Sequence, residues 1–361
     1  MTLYLRPALL SRGRDAVAAL GVGLALPLAG GPVAFAALEI AERDGASIER
    51  RLLPLAEARR WIERQPPARR DMATAILARL AADRPPFAGL ALDRPRLMGV
   101  INVTPDSFSD GGDHAEGEAA IAHGVALLEA GADLLDIGGE STRPGSAPVP
   151  AEIEIARVEP VIRALAGRGA LVSIDSRHAA VMKAALSAGA RLVNDVTALA
   201  GDPASLGLVA EACVPAVLMH MKGEPATMQR APRYDDAPLD LYDYFAGRLA
   251  ACAAAGIDRR AVAIDPGIGF GKNSAHNLDL IDRLALFHGL GCPLVLGVSR
   301  KSFIGRLSRS EPAKERLAGS LAAALAGADR GAQIIRVHDV AETRQARALW
   351  LALADPGAAS A

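Results

Sequence analysis

The chain runs to 361 residues, enough for one large domain with a smaller one beside it. Its 40 Lys+Arg against 41 Asp+Glu leave a net charge of -1, so no basic excess draws it to nucleic acid or to an anionic membrane. Cys213, Cys252 and Cys292 lie far apart without C-x-x-C spacing, which gives no support to a disulfide framework or a zinc site and reads as buried thiols in a reducing cytoplasm.

The first 95 residues keep no regular rhythm. Arg12 and Arg14 precede an apolar run over 16–29, and Ala34-Phe35-Ala36 resembles a cleavage site, but Asp15, Pro27 and several glycines favour a small folded element over a secretory signal. No apolar run reaches the ~18 residues a membrane-crossing helix needs. Gly30-Gly31-Pro32 reads as a turn, 33–39 as a strand or short helix, and 55–82 as one or two amphipathic helices broken at Pro66-Pro67. Arg84-Pro85-Pro86 marks a boundary. Residues 1–95 are thus expected to form a small α+β extension, a packing or dimer-contact appendage.

From Leu97 the chain alternates short apolar runs, polar or Gly-rich turns and helical patterns. The apolar runs fall at 97–103, 133–137, 170–174, 191–193, 216–219, 261–264, 293–297 and 333–337. Eight such units in about 250 residues predict a (β/α)8 barrel, the TIM-barrel architecture, over 96–361. An open doubly wound sheet is the alternative, but no G-x-G-x-x-G turn follows the first run. Amphipathic stripes support the helices, with Ile155, Val158, Ile162 and Leu165 on one and Val181, Ala185 and Leu186 on the next. Gly131, Gly189 and Gly256 stand where left-handed caps are wanted.

In such a barrel the polar residues just past each strand share one mouth. The first run ends in a long polar loop beginning at Asn102, and the second in a Gly/Ser/Thr-rich loop carrying Arg143, whose guanidinium suits an anion. Asp175, Asn194 and Asp265 follow the third, fourth and sixth runs. One such Asp is an ordinary helix cap, whereas three strands delivering carboxylates and an amide to one place suit the N–H donors of a flat heterocycle. Ser299, Arg300, Lys301 and Ser302 follow the seventh run, and Arg336 and His338 close the eighth on one side of the strand, where barrels commonly hold phosphate. The histidines show no paired spacing for metal ligation, so any metal is expected to be Mg2+ on oxygen ligands and substrate phosphates. Gly269-Phe270-Gly271-Lys272 is at most a weak likeness of a phosphate loop.

In order, GVINVTPDSFSDGG (99–112), DIGGESTRPG (136–145), SIDS (173–176), DPGIGFGK (265–272), SRKS (299–302) and RVHD (336–339) closely resemble the dihydropteroate synthase family. The resemblance covers residues 96 to about 350 and not the N-terminal part. It implies a TIM barrel that condenses 6-hydroxymethyl-7,8-dihydropterin diphosphate with p-aminobenzoate, giving 7,8-dihydropteroate and pyrophosphate in folate biosynthesis, and it implies a sulfonamide target. By the same resemblance Asp175, Asn194, Asp265, Lys301 and Arg336 would bind the pterin, and Asn102, Arg336 and His338 the diphosphate, with Asn102 as the Mg2+ ligand. Thr142, Arg143, Pro144, Phe270 and Ser302 would take p-aminobenzoate. The catalytic set would be Asp175, Asp265, Lys301, Arg336 and His338. A cytoplasmic homodimer, without nucleic-acid or membrane partners, completes the expectation. Two other readings stay open: a pterin-binding methyltransferase-type domain, which needs no diphosphate site, and a non-catalytic pterin-binding partner protein.

Overall fold

The computed structural model describes residues 2–104, 112–141, 146, 148–224 and 227–354. In the N-terminal part β1 (Thr2–Arg12), β2 (Leu26–Pro27) and β4 (Ser47–Pro54) pair antiparallel with β3 (Val33–Asp44). Between them runs α1 (Gly13–Gly21), and after them α2 (Leu55–Glu63) and α3 (Pro67–Ala81). The predicted break at Pro66-Pro67 is where α3 starts, since proline lacks the N–H that a first turn leaves unused. The ambiguous run at 33–39 is a strand and continues to Asp44, whereas β1 and β4 are not expected from the sequence. Cys252 and Cys292 are buried, but Cys213 is exposed at the end of a helix, which corrects its reading as a buried thiol.

Eight parallel strands follow, β5 (Arg96–Asn102), β6 (Leu134–Gly138), β7 (Val172–Asp175), β8 (Leu192–Asp195), β9 (Ala216–Met219), β10 (Val262–Asp265), β11 (Val295–Gly297) and β12 (Ile334–Val337). Their hydrogen-bonded order is β10-β9-β8-β7-β6-β5-β12-β11. One parallel bridge, Ile264 to Leu294, brings the two ends together, so the predicted barrel forms and the open sheet does not. Helices α4 (Gly112–Glu129), α5 (Ala151–Ala166), α6 (Ala179–Ala188), α7 (Ser205–Ala212), α8 (Ala237–Ala254), α9 (Ser274–Asp282), α10 (Ser302–Leu307), α11 (Leu317–Ala328) and α12 (Val340–Ala354) fill the connections. Gly189 caps α6 at φ 113°, a left-handed conformation that favours glycine.

The period of two along each strand sets what the interior holds. Met98, Leu134, Leu192, Val217, Ala263, Val295 and Ile334 form one apolar cluster with Phe87 and Leu92. The segment after Arg84-Pro85-Pro86 is therefore more than a linker, because it plugs the N-terminal end of the barrel. Two residues further along the same strands, the inward positions are Val100, Asp136, Asn194, Met219, Asp265, Gly297 and Arg336, four of them polar. Apolar side chains thus seal the bottom, and polar ones face the mouth.

The extension shares the barrel's outer core. Tyr4, Leu5, Phe35, Leu38 and Ile40 belong to the same buried cluster as Phe245 of α8 and the 3-10 segment Leu284–Leu290. Tyr4 donates its hydroxyl to Asp243 Oδ2 at 2.7 Å, Arg43 pairs with Asp240 at 2.7 Å, and Arg84 Nη2 donates to the His288 carbonyl at 3.1 Å.

Candidate active site

The mouth at the C-terminal ends of the strands holds a cavity of about 520 Å³. Asn102, Asp175, Phe270, Lys301, Ser302, Arg336 and His338 all line it, together with Val100, Thr104, Glu140, Ser141 and Ser299. Asn194 and Asp265 lie just beneath. Thr142, Arg143 and Pro144 fall outside the described residues.

At the floor Arg336 reaches from β12 to two other strands. Its Nε donates to Asp136 Oδ2 and its Nη2 to Asp175 Oδ2, both at 2.6 Å, and Asn194 Nδ2 donates to the same Asp136 oxygen at 2.9 Å. Asp136 is fully buried, and its other oxygen has no hydrogen-bond partner among the described residues. Burial works against the Arg336 charge, but Asp136 and Asp175 outweigh it and keep the guanidinium protonated. Burial, with Asp136 and Asp195 nearby, holds the Asp175 carboxyl above the ordinary carboxylate range, and Arg336 acts in the opposite direction. Burial likewise raises Asp265, which accepts from the Gly267 N–H at 2.7 Å. The floor is thus a set of acceptors clustered on one cation, able to trade their present partners for the donors of a bound ring. Asp136 opens the 136–145 motif, but sequence reading gave it no role, because after the second run it looked to the loop carrying Arg143 rather than to the strand itself.

Asp195, beside Asn194, turns away from this floor. It accepts from the Thr197 and Leu199 N–H groups and the Thr197 hydroxyl, which makes it the anchor of the turn after β8.

On the β11–β12 side, His338 Nδ1 lies 3.0 Å from Ser299 Oγ, which also accepts from the His338 N–H at 3.2 Å. Burial, reinforced by Arg336 and Arg300, pushes His338 down to about 3, so at neutral pH it is an uncharged imidazole. Arg300 is tied to Asp339 by two hydrogen bonds.

The 265–272 turn supports the opposite edge. Gly267 has φ +64°, and a Cβ there would come within 2.1 Å of the His220 carbonyl oxygen, so only glycine fits. Lys272 is buried beneath this turn rather than pointing into the mouth. Its Nζ lies 3.0 Å from His220 Nδ1 and donates to the carbonyls of Gly267, Phe270 and His220. Burial lowers its pKa well below the lysine range. Even the weak likeness to a phosphate loop is therefore set aside for this lysine, which fastens the turn that carries Phe270. The Lys301 ammonium stands 4.1 Å from the centre of the Phe270 ring.

The model of the family described as pterin binding enzyme matches residues 98–338. The dihydropteroate synthase of Escherichia coli (strain K12) is 48% identical over 258 residues, covering 71% of this chain and 91% of that one. The chain belongs to the dihydropteroate synthase family. Among solved structures, the Xanthomonas albilineans dihydropteroate synthase with 4-aminobenzoic acid is 51% identical with a TM-score of 0.70, covering 74% of this chain and 96% of that one. The same organism's synthase in complex with 7,8-dihydropteroate is 49% identical with a TM-score of 0.67, covering 73% and 95%. The family model starts at residue 98, so the extension lies outside it. Membership agrees with the barrel, the polar floor and the cationic flank that the strands build.

Proposed function

We propose that the chain joins 6-hydroxymethyl-7,8-dihydropterin diphosphate to p-aminobenzoate, releasing 7,8-dihydropteroate and pyrophosphate for folate biosynthesis. The observation that carries this reading is one cavity holding both the acceptor floor around Arg336 and a donor flank at His338, Ser299 and Lys301. A pterin-binding methyltransferase-type domain has no use for the second feature.

The pterin lies on the floor, its N–H groups meeting Asp136, Asp175, Asn194 and Asp265, with Arg336 against the ring. Lys301 bridges the two substrates, reaching the pterin while lying on Phe270. The diphosphate points to Asn102, Arg336 and His338. As the C–O bond breaks, its electron pair leaves with the diphosphate and positive charge spreads into the dihydropterin. Arg336 stabilises the leaving group, and the carboxylates of Asp175 and Asp265 stabilise the ring. His338 contributes a neutral N–H rather than a full charge. The aminobenzoate nitrogen attacks the methylene and then loses a proton, so holding the two substrates in line is the main task of the protein. Phe270 and Ser302 line the aminobenzoate edge, with Thr142, Arg143 and Pro144 contributing from the loop after β6.

Mg2+ fits this flank. Asn102 is a half-buried amide at the mouth, and a single neutral oxygen suits an ion held mainly by water and substrate phosphates. When bound, it would offset diphosphate charge. A cytoplasmic homodimer completes the reading, on the base rate for oligomers. Among the described residues, no helix is long and apolar enough to cross a membrane.

The test is a pyrophosphate-release assay with Mg2+. Release is expected only when both substrates are present, with dihydropteroate formed in equal amount. Tight pterin binding with no product would leave the non-catalytic reading in its place.

A further inference from the structure

Outside the cavity floor, one cluster built around a buried carboxylate is not used by the proposed reaction. Glu140 lies two residues past β6, Glu154 in the first turn of α5, and His178 at the N-cap of α6. One ligand atom from each lies within 4.8 Å of the others. Glu154 is fully buried, and neither of its carboxylate oxygens has a hydrogen-bond partner among the described residues. His178 Nε2 is also buried without a partner. Ion-free, such a carboxylate carries a desolvation cost that Ser176 and Arg177 nearby offset only in part.

We propose that Glu140, Glu154 and His178 form a binding site for a divalent transition-metal ion, with zinc the best match. One imidazole nitrogen with two carboxylates is a borderline donor set that suits zinc better than magnesium, which prefers oxygen alone. Glu140 is already fixed for the role. Arg177 donates to its two oxygens at 2.9 and 3.0 Å, and the Val149 N–H donates at 3.1 Å. Burial works against the Glu140 charge, yet these donors keep it ionised. Arg177 also adds a competing positive charge, so Glu154 and His178 carry most of the bond strength. In a tetrahedral site with metal bonds of about 2.0–2.2 Å, neighbouring ligand atoms stand about 3.3–3.6 Å apart, so groups now within 4.8 Å of one another draw in by up to about 1.5 Å through side-chain rotation. Burial pushes Glu154 up to about 7, so binding at neutral pH releases a proton.

The site is separate from Asn102, and its test reads binding rather than turnover. Whole protein, stripped with EDTA, is titrated calorimetrically with zinc chloride and, in parallel, magnesium chloride. One zinc per chain is expected, with magnesium far weaker. His178→Ala and Glu154→Gln each weaken zinc by roughly ten-fold or more, and Asn102→Ala leaves it unchanged. Cobalt substituted for zinc shows visible absorption bands that His178→Ala abolishes. Equal zinc affinity in the wild type and in His178→Ala overturns the site, as does magnesium binding as tightly as zinc or no zinc binding at about 1 mM. His178 is half-exposed, so its variant keeps the test decisive even where Glu154→Gln fails to fold.

Discussion

Arg336 Nε and Asp136 Oδ2 meet at 2.6 Å inside the barrel, from positions 200 residues apart in the chain. The guanidinium holds two carboxylates at once, so removing it leaves both uncompensated. Arg336→Met should cost roughly 3 kcal/mol of stability, toward the low end for breaking a buried pair, because the side chain keeps some contact with the mouth. It should also lower kcat/KM by about a hundred-fold or more. Urea denaturation and steady-state kinetics check both, and an unchanged pterin affinity would mean the floor has been misread.

Asp175 should make pterin binding depend on pH. Its folded pKa is raised, so the folded protein keeps this proton to higher pH than the unfolded chain, where Asp titrates near about 3.9. Its contribution to stability is therefore greatest below that value and declines as pH rises toward the folded pKa. Pterin affinity moves the other way, because the ring's donors need the ionised carboxylate. Asp175→Asn should flatten both dependences and weaken pterin binding throughout. Parallel Tm-against-pH curves for the two proteins would contradict the assignment.

Lys272→Met keeps the volume and removes the donors. The His220 and Phe270 carbonyls then lose the ammonium and the Gly267 carbonyl keeps only the Phe270 N–H, at a cost of roughly 2–4 kcal/mol. Because the turn carries Phe270, KM for p-aminobenzoate should rise more than KM for the pterin diphosphate. A loss of stability with both constants unchanged would make Lys272 purely a packing residue.

The extension and the barrel should melt together, since they share one buried cluster. Tyr4→Phe, which removes the hydrogen bond to Asp243, should cost about 1 kcal/mol and leave both KM values alone. Calorimetry should show a single transition. Two separate transitions would show that the extension folds on its own.

How much of this could be read from the sequence depended on whether a feature was local. Each barrel strand is a short apolar run closed by a polar turn, so the runs identify the strands, and alternation carries Arg336 and His338 to the same cavity. Asp136 lies in the same layer as Arg336, and the same count applied to the second run would have found it. Lys272 has the residue type of a phosphate ligand, and only tertiary burial reveals that it binds backbone carbonyls. β1 is buried along much of both faces and so shows no alternation, while β4 is mostly exposed and carries Glu49, Arg50 and Arg51. Glu154 looks like any acid in a first helical turn, and its partners come from two other elements. Thr142, Arg143 and Pro144 were assigned by resemblance and lie outside the described residues.

The ring of strands is stitched unevenly. Every neighbouring pair shares a ladder except β10 and β11, which are joined by the single bridge from Ile264 to Leu294. That gap separates the stave carrying Asp265 from the one leading to Ser299 and Lys301. The buried 284–290 segment that feeds the second stave packs against β1 and α3. The extension therefore works as a hoop across the weakest joint. Cutting it away would loosen the alignment of the two halves of the mouth before the barrel itself came apart.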